Sequence, residues 1–179
     1  MRARRAACEA GAMSVKYLYF WNQKAEPGGR VGRGCLSQWW PSAFDDDGRR
    51  FATAEHYMMA HKAWLFGDTE AAERVLDSGH PGQAQKIGRQ VRGYEQDVWE
   101  AERLGIVVRG NVLKFGQDPD LLAFLLGTGD RVLVEASPVD RIWGIGLADD
   151  DPRAADPGTW RGLNLLGQAL MEARARLRA

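Results

Sequence analysis

The chain has 179 residues, which is the usual size of one domain with a single substantial core. Its 24 basic residues balance 24 acidic ones, and this argues against a protein that binds nucleic acid mainly through phosphates, since such domains are strongly basic. Two cysteines without partner spacing argue against a disulfide framework or a zinc knuckle. No apolar run reaches the roughly 18 residues of a membrane span, so we expect no membrane partner, and the cysteine usage favours a reducing compartment, the cytoplasm.

The first residues carry several arginines but no apolar stretch behind them, so they lack the pattern of a signal peptide. We expect residues 1–13 to be a disordered extension, with Met13 as an alternative start. The domain is then expected over residues 14–179.

The first half of the chain begins with strand and loop signals. KYLYFW, over 16–21, alternates like a strand, and the glycine-rich KAEPGGRVGRG after it predicts a loop. DDDG at 45–48 predicts a turn. Thr53 is a favourable N-cap for the helix AEHYMMAHKAWLF, which Gly67 ends.

Helical signals dominate the remainder. Asp68 begins a second helix that ends at Gly79, and Pro81 suits the first turn of a third. The apolar spacing then predicts a helix over 95–115 with Gly105 and Gly110 as candidate interruptions, a short helix over 118–129, a strand over 131–137 and a last helix over 163–177. Six or so helices and a few short strands predict a helix-dominated α+β fold.

Glu55 and Lys62 are the most informative pair of polar residues. They lie two helical turns apart, so both project from one face of the same helix. A desolvated lysine has a lowered pKa and becomes nucleophilic. The alternative is an exposed charge pair on an outer face, but the apolar neighbours leave little polar surface for one: Tyr57, Met58, Met59, Ala60, Ala63, Trp64 and Leu65.

Asp140 and Trp143 follow the strand predicted over 131–137. A carboxylate beside an indole in such a loop is suited to binding or protonating a sugar. The alternative is that Asp140 caps a turn and Trp143 fills the core, and the residues alone favour it.

Trp99 and Arg103 lie four residues apart on the long helix. An indole stacks on bases, and an arginine holds phosphate or ribose, although a tryptophan at helical spacing is more often part of the core. Arg109 and Asn111 carry a similar ambiguity, since an asparagine there also stabilises a turn. The spacing of His56 and His61 does not match a pair of metal ligands on one helical face, so we expect no metal site.

Several longer motifs resemble the NADAR (NAD- and ADP-ribose-associated) family, also called YbiA-like. They are LSQWWPSAF, FATAEHYMMAHKAWLFGD, AQKIGRQVR, GNVLKFGQ, LLGTGDRVLVEASPVDRIWGIGL and WRGLNLLGQALM, in the family's order, between about Tyr19 and Arg176. Gln38 departs from the pattern, because the family commonly has asparagine after the serine at 37.

The resemblance implies one compact α+β domain and cleavage of an N-glycosidic bond at ribose C1, with no cofactor. Two substrate classes are associated with the family. One is ADP-ribose linked to guanine in nucleic acid, which implies functional pairing with an ADP-ribosyltransferase toxin. The other is a ribosylamino-pyrimidine phosphate of riboflavin synthesis. Glu55, Lys62, Trp99 and Asp140 match the family's important positions, and Ser37, Arg103, Asn111 and Trp143 are expected to contact the substrate.

Two mechanisms and two functional classes stay open at this point. In one mechanism Lys62 attacks C1 and forms an imine, while Glu55 or Asp140 moves the protons. In the other, water attacks an oxocarbenium-like state directly and Lys62 acts only through its charge. A module that binds ADP-ribose without cleaving it is the alternative function, although it would not need all three groups.

Overall fold

The computed structural model describes residues 15–179, so the extension expected over residues 1–13 lies outside the described residues. The described chain contains six α-helices and four short strands. In chain order these are β1 (Tyr17–Phe20), β2 (Phe44–Asp46), β3 (Arg49–Phe51), α1 (Ala54–Leu65), α2 (Thr69–Leu76), α3 (Pro81–Gly88), α4 (Gln96–Gly116), α5 (Pro119–Gly127), β4 (Val132–Glu135) and α6 (Leu165–Arg178). The prediction of a helix-dominated α+β fold is confirmed.

Helix α1 lies at the centre of the fold and packs against α2, α3 and α4. It begins where the sequence predicts, because the Thr53 side chain accepts a hydrogen bond from the backbone N–H of His56. Almost every residue from Ala54 to Ala63 is buried, which the run of apolar residues indicates. Helix α6 closes the other side by packing against α4 and β4.

Strands β1 and β4 form a parallel pair in which Tyr17 is opposite Val132 and Phe20 is opposite Glu135. In the sequence the two strands are separated by β2, β3 and helices α1 to α5, and α6 packs on β4. This pairing places the end of β4, and the loop that follows it, beside the central helices.

The segment around residues 45–48 is a hairpin rather than the isolated turn that the sequence predicts. Strands β2 and β3 pair in antiparallel fashion, with Phe44 opposite Phe51. Asp47 and Gly48, at the two central positions, have φ angles of 48° and 75°. Asp-Gly is the dipeptide that a two-residue hairpin turn with two positive φ angles favours. The sequence did not predict the strands on either side of the turn, because three residues are too few to give a recognisable alternation.

Helix α4 runs without interruption through Gly105 and Gly110. Gly110 instead lies where α4 meets α1: a Cβ there would be 2.7 Å from the Tyr57 ring. The glycine therefore allows close helix packing, which is the reason it is compatible with the helix interior. No helix within residues 15–179 is long and apolar enough to cross a membrane.

Candidate active site

A cavity of about 470 Å³ lies between α1, α3, α4, the end of β4 and two loops. Its lining residues come from segments spread along the chain, from residues 37–39 to α6. Of the eight residues that the sequence singled out, seven line it: Ser37, Glu55, Lys62, Trp99, Arg103, Asp140 and Trp143. The structure therefore brings together side chains that are up to 106 positions apart (143 − 37) in the sequence.

Glu55 lies in the first turn of α1, and only 3% of its surface is exposed. Its backbone N–H donates to the carbonyl of Gln38, which ties the start of α1 to the segment 37–39. Its Oε1 atom is buried and has no hydrogen-bond partner among residues 15–179. Burial, followed by the negative charge of Asp140, raises the pKa of Glu55 to about 8. The carboxyl is thus able to hold a proton near neutral pH.

Lys62 lies two turns farther along α1 and is half-buried. Its Nζ atom is 4.5 Å from the centre of the Tyr94 ring and 5.3 Å from the centre of the Trp99 ring. None of the ion pairs among residues 15–179 includes Lys62. Burial and the charge of Arg89 lower the pKa of this amine. With Glu55 buried as well, these residues do not form an exposed charge pair on an outer face.

Asp140 begins the loop over residues 140–143 and has two roles at once. Its Oδ1 atom accepts hydrogen bonds from the backbone N–H groups of Ile142 and Trp143, both at 2.8 Å, so it caps the turn as the alternative interpretation holds. Asp140 is half-buried and also lines the cavity. Trp143 likewise packs against the main core and lines the cavity. The capping hydrogen bonds hold the Asp140 carboxylate in a fixed position.

Trp99 and Arg103 come from the first turns of α4. Trp99 is 8% exposed and belongs to the main core, yet one part of its ring faces the cavity beneath Lys62. Arg103 is 9% exposed, and its buried Nε atom has no hydrogen-bond partner. Its ion pair with Glu100 is long, at 3.8 Å. A guanidinium with donors left over is suited to an anionic group of a ligand.

Asn111 is the predicted contact residue that the structure keeps out of the cavity. It is completely buried in the middle of α4, so it does not stabilise a turn either. Its side-chain amide donates to Gln38 Oε1 at 3.0 Å and to the Val107 carbonyl at 2.8 Å. Gln38 lines the cavity. Asn111 therefore affects the cavity only indirectly, by orienting the Gln38 side chain.

Lys114 is a buried residue that the sequence analysis missed. Its Nζ atom donates to the carbonyls of Cys35, at 2.6 Å, and Ser37, at 2.9 Å. Complete burial lowers its pKa to about 7. One turn after Asn111 on the same helix, it fixes the backbone of the segment that carries Ser37. No local signal reveals this role, because the two carbonyls are more than 75 residues away.

Glu135, the last residue of β4, is the other omission. It lines the cavity, and its Oε2 atom is buried without a hydrogen-bond partner. Burial and the charges of Asp140 and Glu55 raise its pKa to about 8. The available signal was a carboxylate directly after the apolar run VLV, since no local feature explains a half-buried acidic residue there.

The cavity therefore combines the partly desolvated amine of Lys62 with four carboxyl groups and four aromatic side chains. The carboxyl groups of Glu55 and Glu135 are suited to holding and releasing protons, and the amine of Lys62 to nucleophilic attack. Within residues 15–179 no group of three or more His, Cys, Asp or Glu side chains is arranged to hold a metal ion. The arrangement supports acid–base and nucleophilic chemistry carried out by the side chains.

Known proteins resemble this chain over nearly its whole described length. Residues 19–178 match the NADAR domain family. The chain is 40% identical over 164 residues to N-glycosidase R617 of Acanthamoeba polyphaga mimivirus. The match covers 89% of this chain and 95% of that protein. It is 34% identical over 142 residues to the chloroplastic riboflavin biosynthesis protein PYRR of Zea mays, which covers 74% of this chain and 21% of that protein.

The fold is also similar to a solved structure. The NMR structure of the Escherichia coli protein YbiA matches with a TM-score of 0.73 at 28% identity, over 93% of this chain and 88% of that one. The names of the relatives support an N-glycosidase function in general. The chain belongs to the NADAR domain family and has a YbiA-like fold.

Proposed function

We propose that this protein hydrolyses the bond between ribose C1 and an amino nitrogen, in ADP-ribosyl-guanine of nucleic acid or in a ribosylamino-pyrimidine phosphate. The observation that carries the proposal is the placement of Lys62 and Glu55 in one cavity, where within residues 15–179 the amine has no ion-pair partner and the buried carboxyl has an unpartnered oxygen. Groups that are desolvated but unpaired are more useful for reacting with a ligand than for stabilising the fold.

The cavity dimensions and polarity support a substrate with a ribose, a flat base and a phosphate. Its volume lies within the range of small-molecule sites. Trp99 and Tyr94 offer aromatic surface on which a base stacks, and Arg103 offers unsatisfied donors for phosphate. Both substrate classes share these parts, and in both the nitrogen is bonded to C1, so one mechanism serves either.

In the covalent route the neutral amine of Lys62 forms a bond to C1, and the C1–N bond breaks with its electron pair going to the departing nitrogen. A carboxyl group supplies the proton for that nitrogen. Ring opening gives an imine between Lys62 and the sugar, which water then hydrolyses. Asp140, held by its two backbone hydrogen bonds, and Glu55 are the groups that line this space and can activate the water.

The second function, binding of ADP-ribose without cleavage, shares the aromatic and arginine contacts. Cleavage is favoured over it by the unpaired Lys62 amine, because a binding site has no need of a desolvated amine beside buried carboxyls. If the substrate is ADP-ribosyl-guanine, the functional partner is an ADP-ribosyltransferase toxin. The toxin attaches the ADP-ribose that this protein removes.

The proposal is tested by incubating the purified protein with DNA that carries ADP-ribose on guanine and, separately, with the ribosylamino-pyrimidine phosphate. Release of free ADP-ribose or of ribose phosphate, followed by chromatography, is the expected result for at least one substrate. Activity is expected to persist in EDTA. Tight binding of both compounds with no product after long incubation would contradict cleavage and leave a binding module.

A further inference from the structure

The backbone of Glu135 is held on both sides. Its N–H donates to Asn164 Oδ1 at 3.0 Å, and its carbonyl accepts from the N–H of Ile145 at 2.9 Å. As the last residue of β4 it is opposite Phe20 of β1. The side chain that leaves this fixed backbone lines the cavity, and its Oε2 atom is buried without a partner. The fold therefore directs a carboxyl oxygen towards the space that a ligand fills.

The surroundings of Glu135 differ from those of Glu55 in one respect. Burial, Asp140 and Glu55 all act in the same direction on Glu135, and each raises its pKa. For Glu55, burial and Asp140 raise the pKa, but Trp39, Arg89 and Gln85 stabilise the ionised form.

Every neighbour that acts on Glu135 therefore favours its protonated form, and no group within residues 15–179 pairs with its Oε2 atom. The other charged groups that line the cavity are Lys62, Arg89, Glu100, Arg103 and Asp140.

We propose that Glu135 is a further catalytic residue, the acid that delivers a proton to the leaving nitrogen. This inference rests on the proposed function. As the C1–N bond breaks, its electron pair goes to nitrogen, and the proton moves from the Glu135 carboxyl to that nitrogen. Water later adds its oxygen to C1, and its proton returns to the Glu135 carboxylate directly or through Asp140. The carboxyl is then ready for another cycle.

Glu135→Gln tests this role with two substrates that differ in the leaving group. The glutamine keeps the shape but has no proton to transfer. On a ribosylamine, whose nitrogen must be protonated to leave, kcat is expected to fall by about 100-fold or more. On 4-nitrophenyl riboside 5-phosphate, whose leaving group departs as a stable anion, the loss is expected to be far smaller. Glu73→Gln, an exposed change on α2 outside the cavity, is the matched control and should alter neither rate.

A second measurement does not depend on turnover. The side-chain carboxyl carbon of Glu135, assigned in ¹³C NMR spectra by comparison with Glu135→Gln, is expected to titrate near pH 8. Its midpoint should shift to lower pH in Glu55→Gln, because that change removes a neighbouring negative charge. A carboxyl that is already ionised at pH 6 in the native protein would contradict the role of proton donor.

The outcomes separate the two proposals. Native turnover with an equal loss on both substrates in Glu135→Gln would make the residue structural and overturn the inference alone. Full activity of Glu135→Gln on the ribosylamine has the same meaning. If the native protein cleaves no N-riboside at all, the proposed function fails and the catalytic role fails with it.

Discussion

Two buried carboxyls, one at the start of α1 and one at the start of α2, are used in opposite ways. Glu55 and Asp68 are 3% and 5% exposed, so burial alone does not distinguish them. Asp68 caps α2 through the N–H of Ala71, and it accepts both the N–H and the guanidinium of Arg92. These contacts hold the pKa of Asp68 well below its usual range, whereas the pKa of Glu55 is raised to about 8.

The difference shows which buried carboxyls stabilise the fold and which are kept for a ligand. The α2 carboxylate has all its hydrogen-bond partners within the protein, so its charge contributes to stability. The Glu55 carboxyl lacks a partner for Oε1 and lies in a cavity with a second unsatisfied carboxyl, that of Glu135. An unsatisfied group of this kind costs stability, and a role in ligand chemistry explains why the fold contains it.

Among changes to residues that line the cavity, Lys62→Arg is expected to have the largest effect on kcat. Arginine keeps the positive charge but has no neutral amine to attack C1, so the covalent route predicts that kcat falls by more than about 1,000-fold. Borohydride added during turnover should trap a ribosyl adduct on Lys62, which peptide mapping locates. Lys86→Arg, an exposed change on α3, is the control. Retained activity in Lys62→Arg without any adduct would favour direct attack by water.

Glu55→Gln and Asp68→Asn form a pair that tests the comparison directly. Glu55→Gln should lower kcat by about 10²–10⁴-fold while thermal stability is unchanged or increased, because a neutral amide is less costly to bury. Asp68→Asn should lower the Tm and leave the activity per folded molecule unchanged, because it removes the charge that Arg92 contacts. Reversed effects on activity and Tm would show that the two carboxyls have been assigned the wrong roles.

The two carboxyls also predict opposite dependences of stability on pH. Glu55 keeps its proton in the folded protein up to about pH 8 but has an ordinary pKa of 4.5 when unfolded, so its contribution to stability falls as the pH rises between these values. The slope approaches about 1.4 kcal/mol per pH unit for one proton. The contribution of Asp68 is instead present above its ordinary pKa of 3.8 and is lost as the pH falls below it.

The difference in the free energy of unfolding between the native protein and Glu55→Gln, measured by urea denaturation across this range, isolates the first contribution. A difference that does not change with pH would contradict the raised pKa of Glu55.

Trp99→Ala is expected to have the smallest effect on activity of these changes. It should affect both substrate binding and stability. Loss of the ring should weaken substrate binding by about 1–3 kcal/mol, the usual value of a stacking contact. The Tm should also fall, because Trp99 belongs to the main core. Trp64→Ala is the control, since Trp64 packs on the same core but does not line the cavity, and should lower the Tm only. Equal substrate affinity in the two variants would make Trp99 a core residue only.

The sequence predicted the helices that carry part of the candidate site, because the signals for those helices are local. Thr53 marks the start of α1, and a spacing of seven residues is enough to place Glu55 and Lys62 on one face. In the same way, the four-residue spacing of Trp99 and Arg103 places both residues on one face of α4. Their presence in the same cavity as Asp140 could be expected only from the resemblance to the NADAR family.

What the sequence could not predict depends on contacts between distant segments. Lys114 and Asn111 look like ordinary residues of α4, and their roles exist only because the segment 35–38 lies against that helix. Glu135 looked like the polar end of a strand, and its importance comes from Glu55 on another element. The β2–β3 hairpin was missed for a different reason, since three-residue strands leave too short an alternation to recognise.

The contact between Gly110 and Tyr57 bears on how wide the cavity is. Helices α1 and α4 carry Lys62 and Trp99 respectively, and at Gly110 there is no Cβ between the two helices to separate them. The Tyr57 hydroxyl is at the same time anchored to Asp46 Oδ2 at 3.0 Å, so the ring cannot easily turn away. The spacing between the helices that carry the amine and the indole is thus set at this point by main-chain packing. Changes of side-chain rotamer within the cavity leave the spacing of the two helices unchanged. One methyl group added at Gly110, outside the cavity, would alter that spacing.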